Sequence, residues 1–161
     1  GEILGAGHWR GTPASVWRNV TPTFIYKSMQ GAAPPLENEG IASRDFIYVE
    51  DIAAGLIACA TRGAPGEAYN LASGVETTIR ELAERINEIT GNRAPIELLP
   101  KRAWDNSGKR YGSTDKSERE LGFKATVSLV DGLTRTIAWT RENLALIERN
   151  IGKHAVHMRG A

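Results

Sequence analysis

The clearest hydrophobic period in the chain covers residues 79–89. Ile79, Leu82, Ala83, Ile86 and Ile89 recur at three and four residues, which predicts an amphipathic helix that stops at Gly91. Its start is marked by Thr78-Ile-Arg-Glu81, a capping box: the hydroxyl takes an orphan backbone N–H and the carboxylate reaches back to the cap. A longer stripe of Leu129, Leu133, Ile137, Leu144 and Ile147 predicts one helix over 128–150, opening at Ser128 with Asp131 in its first turn. Phe24, Ile25 and Met29 give another, beginning near Thr21-Pro22 and stopped by Gly31. Residues 51–61 form a further helix with Ile52, Leu56, Ile57, Cys59 and Ala60 turned inward and Gly63 beyond its end. A shorter helical turn, 114–121, ends at Gly122. Between these lie β-prone runs at 46–49, 68–71 and 96–99, each bounded by turn residues, and a short piece at 35–36. Four to five helices alternating with short strands predict an α/β fold.

Residues 1–20 hold four Gly, one Pro and two Trp with neither period, and read as a loop or connector. The expected organisation is that connector, a folded domain over 21–150 and a flexible tail over 151–161. The length of 161 residues suits one domain with a real core. Composition then removes whole classes of function. Twenty basic against 19 acidic residues leave a net charge of +1, without the basic stripe a nucleic-acid partner needs. The single cysteine, Cys59, cannot make an internal disulfide. No apolar run approaches the roughly 20 residues that span a bilayer, and the first residues lack a basic n-region. A cytoplasmic protein without nucleic-acid or membrane partners is the expectation.

Several catalytic signatures are missing from the sequence. Gly5-Ala-Gly7-His-Trp-Arg-Gly11 has one residue too many for a G-x-G-x-x-G turn, and only Ile3-Leu4 precedes it, so a loop is the better reading. There is no phosphate-binding G-x-x-x-x-G-K-[ST] loop, and no tyrosine has a lysine four residues later. His8, His154 and His157 give no metal-ligand spacing. The informative stretch is Ser43-Arg-Asp-Phe-Ile-Tyr-Val-Glu-Asp-Ile-Ala53. Arg44, at the entrance of an apolar strand, can hold a phosphate with its planar fork of donors. It can equally form a surface pair with Asp45, which is worth little. Asp51 reads as a helix N-cap. In Lys101-Arg-Ala-Trp-Asp105, a loop after a strand, Arg102 and Asp105 can serve a phosphate and a sugar hydroxyl, or each other. Asn70 reads as structural, and Trp104 and Trp139 as packing residues.

The order of these segments resembles the C-terminal, substrate-binding half of the extended short-chain dehydrogenase/reductases. Within that family it looks like the sugar-nucleotide epimerases and dehydratases of the UDP-glucose 4-epimerase type. The matching pieces are Asn19-Val-Thr-Pro-Thr-Phe-Ile25, Pro35-Leu36, Arg44-Asp-Phe-Ile-Tyr-Val-Glu-Asp-Ile52, Tyr69-Asn-Leu-Ala-Ser-Gly74, Arg102-x-x-Asp105 and Lys116-x-x-x-Glu-Leu-Gly122. The resemblance implies part of an extended Rossmann-type fold whose glycine-rich NAD-binding half is absent. It also implies roles. Asn19 and Val20 would meet the nucleotide, Leu36 would lie in the segment lining the uracil or thymine, and Arg44 and Arg102 would hold the diphosphate. Asp105 would hold the ribose. The ligand would be a UDP- or dTDP-sugar. NAD would serve the parent enzyme, which oxidises the hexose C4 transiently, while this chain alone would bind no cofactor, need the N-terminal Rossmann half as its partner and be inactive. Two features depart from the family pattern: a shorter turn with Glu37 and Glu39 where the base should lie, and a longer loop over 3–18. The alternative reading is a non-catalytic α/β interaction module.

Overall fold

A computed structural model describes the backbone of residues 2–4, 19–101 and 108–158, and side chains over 19–101 and 108–152. Strand β1 (Glu2–Leu4) pairs in parallel with β4 (Phe46–Tyr48), in the register Glu2 to Phe46 and Leu4 to Tyr48. The chain passes from β4 straight into helix α2 (Val49–Arg62). Alternation along β4 decides what covers each face of this pair. Ile47 packs with Ala58 of α2 and with Leu121 and Phe123. Phe46, its neighbour, joins the larger core with Leu133 and Ile137 of α5 (Leu129–Glu142). The parallel strands are thus covered on both sides, as parallel sheets generally are.

The larger core also takes Phe24 and Ile25 of α1 (Val20–Met29) and Leu82, Ala83 and Ile86 of α3 (Ile79–Thr90). Leu36 of β2 (Pro35–Glu37), itself 0% exposed, completes it. β2 pairs in parallel with β6 (Glu97–Leu99). Asn92 donates from Nδ2 to the Ala32 carbonyl at 2.9 Å, tying the end of α3 to the run into β2. A third sheet is built from two-residue pieces: β3 (Ser43–Arg44) lies between β5 (Thr77–Thr78), antiparallel, and β7 (Lys109–Arg110), parallel. Two further helices follow in sequence: the short α4 (Asp115–Leu121) and, after α5, the longer α6 (Leu144–Met158). No helix among the described residues is long and apolar enough to cross a membrane.

Local chemistry explains most of these boundaries. The Thr78 hydroxyl accepts the Glu81 N–H at 3.0 Å, and Gly91 ends α3 in the left-handed region at φ 71°. Ser128 likewise accepts the Asp131 N–H at 3.1 Å. Other expectations are corrected. The stripe over 128–150 is two helices, broken at Asn143, where φ −106° and ψ 13° leave the helical region and the side-chain amide donates to the Trp139 carbonyl at 2.9 Å. Helical backbone then continues to Met158, past the expected end at Asn150. Residues 2–4, read as loop, form a strand. Residues 68–71 form none, because side chains take the place of a ladder: Lys116 Nζ donates to the Ala68 carbonyl at 3.0 Å, and Asn70 Nδ2 to the Ser113 carbonyl at 2.9 Å.

Helix α2 overturns two further expectations. It begins at Val49, with Tyr48 in the cap position, so Asp51 is not the cap. The buried Asp51 carboxylate instead accepts the Thr126 N–H and hydroxyl and the Val127 N–H, at 2.9–3.1 Å, stapling the chain ahead of α5 to the start of α2. The helix also turns its small residues inward. Gly55 and Ala58 are buried, whereas Leu56 and Ile57 are 60% and 65% exposed. Close approach forces this choice: a Cβ added at Gly55 would lie 2.9 Å from both Leu71 Cδ2 and Phe123 Cε2.

Candidate functional site

Arg44 stands in the central strand of the three-stranded sheet. Its Nη1 donates to the Ser43 carbonyl at 2.6 Å and to the Gly108 carbonyl at 3.1 Å. Ser43 N also donates to the Gly108 carbonyl, at 3.2 Å, so two groups of β3 clasp the residue that leads into β7. A guanidinium carries five N–H donors. Nη1 is spent on backbone, which leaves Nε and Nη2 as the forked edge that suits an oxyanion. Among the described residues nothing engages that edge.

The pairing of Arg44 with Asp45, one of the two readings open from sequence, does not form. Asp45 is 1% exposed and turned the other way. Its Oδ1 accepts the Ser73 N–H and hydroxyl, and its Oδ2 the Gly74 N–H, each at 2.8 Å. Asp45 therefore anchors the turn at 73–74 beneath the sheet, where Gly74 takes φ +76°. Beside it, the Glu76 carboxylate accepts the Ser43 hydroxyl at 2.7 Å and pairs with Lys109 at 3.2 Å. The Ser43 hydrogen bond, with Lys109 adding to it, holds the Glu76 carboxyl below the ordinary carboxylate range, against an opposing desolvation effect.

A cavity of about 320 Å³ opens between residues 70–72 and 110–112, lined by Asp45, Asn70, Leu71, Arg110, Tyr111 and Gly112 among others. Its mixture of one apolar wall and several polar groups is typical of small-molecule sites. Lys109-Arg-Tyr111 escaped the sequence reading, although a basic–aromatic run framed by Gly108 and Gly112 was there to be seen.

The other sequence-derived positions fall as follows. Asn19 is exposed in the cap position of α1, where its carbonyl accepts the Thr23 N–H but its side chain makes no capping bond. Val20 is half-buried against the same core that holds Leu36. The Leu36 side chain is spent on that core, so any contact with a base falls to the backbone of its segment. Asn38, Glu39 and Gly40, next along, all take positive φ (47°, 55° and 69°). Gly40 fits tightly: a Cβ there would stand 2.6 Å from Leu36 Cδ2 and 2.8 Å from the Arg80 nitrogen. Arg102 and Asp105 lie outside the described residues. Among the described residues no cluster of His, Cys, Asp or Glu could hold a metal ion.

Comparison with known proteins adds a separate line of argument. Residues 3–72 match the model of the NAD dependent epimerase/dehydratase family. The chain is 33% identical over 144 residues to UDP-glucose 4-epimerase 3 of Oryza sativa, covering 81% of this chain and 38% of that protein. It is 33% identical over 128 residues to the dTDP-glucose 4,6-dehydratase of Streptomyces griseus, covering 79% of this chain and 39% of that one. Among solved structures, the Bordetella bronchiseptica enzyme WbmF in complex with NAD+ and UDP superposes with a TM-score of 0.82 at 60% identity, over 99% of this chain and 47% of that one. The chain thus spans less than half the length of each of these relatives.

Proposed function

The chain belongs to the extended short-chain dehydrogenase/reductase family of NAD-dependent epimerases and dehydratases, and from that premise we propose that it grips the diphosphate of a nucleotide sugar, a UDP- or dTDP-sugar. The observation that carries the reading is Arg44. Its guanidinium is pinned through Nη1 to two backbone carbonyls at 2.6 and 3.1 Å, at the end of a strand, which leaves Nε and Nη2 for a ligand. A donor fork held in place binds a diphosphate with little further loss of side-chain freedom. Asn19, with a side chain not used in capping, is the proposed second polar contact, and Val20 and the segment of Leu36 the flank of the base. Arg102 and Asp105 are proposed to complete the grip on diphosphate and ribose. The names of the relatives support this ligand class: a UDP-glucose epimerase, a dTDP-glucose dehydratase and an enzyme captured with UDP.

In the parent protein we propose transient oxidation of the hexose C4. NAD, when bound, supplies the hydride acceptor for it. Four of the six described α-helices are ill-suited to seat that cofactor at their starts, whereas α1 and α6 carry no acid in their first turns. Helices α2, α3, α4 and α5 carry Glu50 and Asp51, Glu81, Asp115 and Glu118, and Asp131 in their first turns. Carboxylates there oppose the pyrophosphate that a dinucleotide site seats on a helix N-terminus. With no Tyr-x-x-x-Lys pair in the sequence either, these 161 residues are proposed to bind a nucleotide sugar without turning it over. The second reading, a non-catalytic interaction module, has one observation in its favour: the exposed Leu56 and Ile57 on α2. Calorimetric titration with UDP and dTDP separates the two. Binding that falls about tenfold or more in Arg44→Ala supports the nucleotide site; no heat from either nucleotide refutes it.

A further inference from the structure

We propose that Glu76 is a positioning residue for Arg44: it fixes the two carbonyls that hold the Arg44 guanidinium, and so tunes the affinity for the ligand; the inference rests on the reading of Arg44 above. Glu76 stands immediately before β5, the antiparallel neighbour of β3, in which Thr78 lies opposite Ser43. From there its carboxylate reaches across the sheet. One oxygen, Oε1, accepts the hydroxyl of Ser43 on the central strand at 2.7 Å and the ammonium of Lys109 on the far strand at 3.2 Å. A single side chain thus joins all three strands. Successive residues of a strand point to opposite faces, so this clasp on Ser43 leaves the face of Arg44 clear.

The residues it joins are the ones that seat Arg44. One of the two carbonyls that accept from Arg44 Nη1 belongs to Ser43, and the other belongs to Gly108, which immediately precedes Lys109. The pairing of β3 with β7 is only two residues long and β7 is exposed, so the backbone alone holds the Gly108 carbonyl weakly. Glu76 adds to that hold. Ser43 is 0% exposed and the Glu76 side chain 28%, which shelters the hydroxyl bond from water. The carboxyl stays below the ordinary carboxylate range and is ionised at neutral pH, and hydrogen bonds to an ionised acceptor are roughly twice as strong as neutral ones. Glu76 is itself steadied from behind, because Asp45 anchors Ser73 and Gly74 of the turn that leads to it. A clasp on any other pair of residues would add stability alone. Placed on Ser43 and Lys109, it also fixes the spacing of the two carbonyls that Arg44 bridges.

The test follows the guanidinium and the ligand separately, in the purified protein carrying Glu76→Ala, Ser43→Ala or Glu76→Gln, each held well below its thermal midpoint. Nitrogen NMR of the arginine side chains reads the rotation of the Arg44 guanidinium, which a loss of stability elsewhere does not move. The unaltered protein is expected to show slow rotation with Nη1 and Nη2 resolved, and Glu76→Ala and Ser43→Ala to average them. UDP titration of the same samples is expected to weaken by about three- to tenfold, the affinity lost when one flexible side chain must again be immobilised on binding. Glu76→Gln keeps a neutral acceptor for Ser43 and is expected to lose less. Ser43→Ala leaves Glu76 paired with Lys109, and carries the test if Glu76→Ala does not fold. Arg44 signals that stay resolved in both alanine variants overturn the role of Glu76, as does a guanidinium already averaged in the unaltered protein. UDP affinity within about twofold of the unaltered protein's, beside a loss in Arg44→Ala, overturns it while the role of Arg44 stands. Absence of UDP binding in the unaltered protein overturns both readings together.

Discussion

Arg44 and Asp45 are adjacent in sequence and have opposite jobs, and substitution separates them. Asp45→Ala removes the acceptor of two backbone N–H groups and one hydroxyl, all at 2.8 Å, from a residue 1% exposed. Hydrogen bonds to a charged group contribute about 1.5–3 kcal/mol each. Ser73 is only half-buried and Gly74 is exposed, so water recovers part of what is lost, and a total near 3 kcal/mol follows. Against a stability of about 5–15 kcal/mol this is large. With a urea slope of about 1–3 kcal/mol per molar, it lowers the unfolding midpoint by roughly 1–3 M. Arg44→Ala takes a donor from the carbonyl of Gly108, an exposed residue, and from that of the buried Ser43, and costs about 1 kcal/mol. Urea unfolding of both variants beside UDP titration is the assay. The expected pattern is an unstable Asp45→Ala and a stable Arg44→Ala that has lost its ligand. If Asp45→Ala unfolds within about 0.5 kcal/mol of the unaltered protein, the account of Asp45 as the anchor of the 73–74 turn is wrong.

Other expectations follow from single sites. Gly40→Ala forces a side chain into a left-handed residue and against the Arg80 backbone nitrogen at 2.8 Å; it should cost about 2 kcal/mol in thermal or chemical unfolding, and a neutral result would contradict the packing of residues 38–40 on α3. Thr78→Ala removes the cap of α3 and should cost about 1 kcal/mol, read as a lower melting temperature. The Glu76 carboxyl is held below its ordinary range by Ser43 and then Lys109. A depressed carboxylate stabilises the fold above its unfolded pKa, about 4.3, and that stability is lost as pH falls through the lower folded value. Glu76→Gln should therefore melt below the unaltered protein at pH 7, with the gap closing as pH drops under about 4; a pH-independent gap would contradict the clasp.

How legible these features were depended on how local their causes are. Helix α3 was fully legible: Thr78, the repeat from Ile79 to Ile89 and Gly91 all lie within the element they define. The sheet that carries Arg44 was not, because β3, β5 and β7 are two residues each, too short for alternation to register. Asp45 and Asp51 misled for a related reason. Their partners lie 28–29 and 75–76 residues away, while the neighbouring residues alone suggest an ion pair and an N-cap. Helix α2 shows what periodicity leaves open. Leu56 and Ile57 mark an apolar stripe as plainly as any in the chain, yet close packing at Gly55 selects the face beside it. The break at Asn143 carries no Gly or Pro to announce it. At the candidate site, Arg44 stood out through a motif, whereas Arg110 and Tyr111, which line the cavity, did not.

A crystal structure of the protein with UDP bears most directly on the central claim. The account predicts Nε and Nη2 of Arg44 within about 2.7–3.2 Å of phosphate oxygens, with Nη1 still on the carbonyls of Ser43 and Gly108. A diphosphate seated away from the three-stranded sheet, with Arg44 facing only solvent, would contradict it.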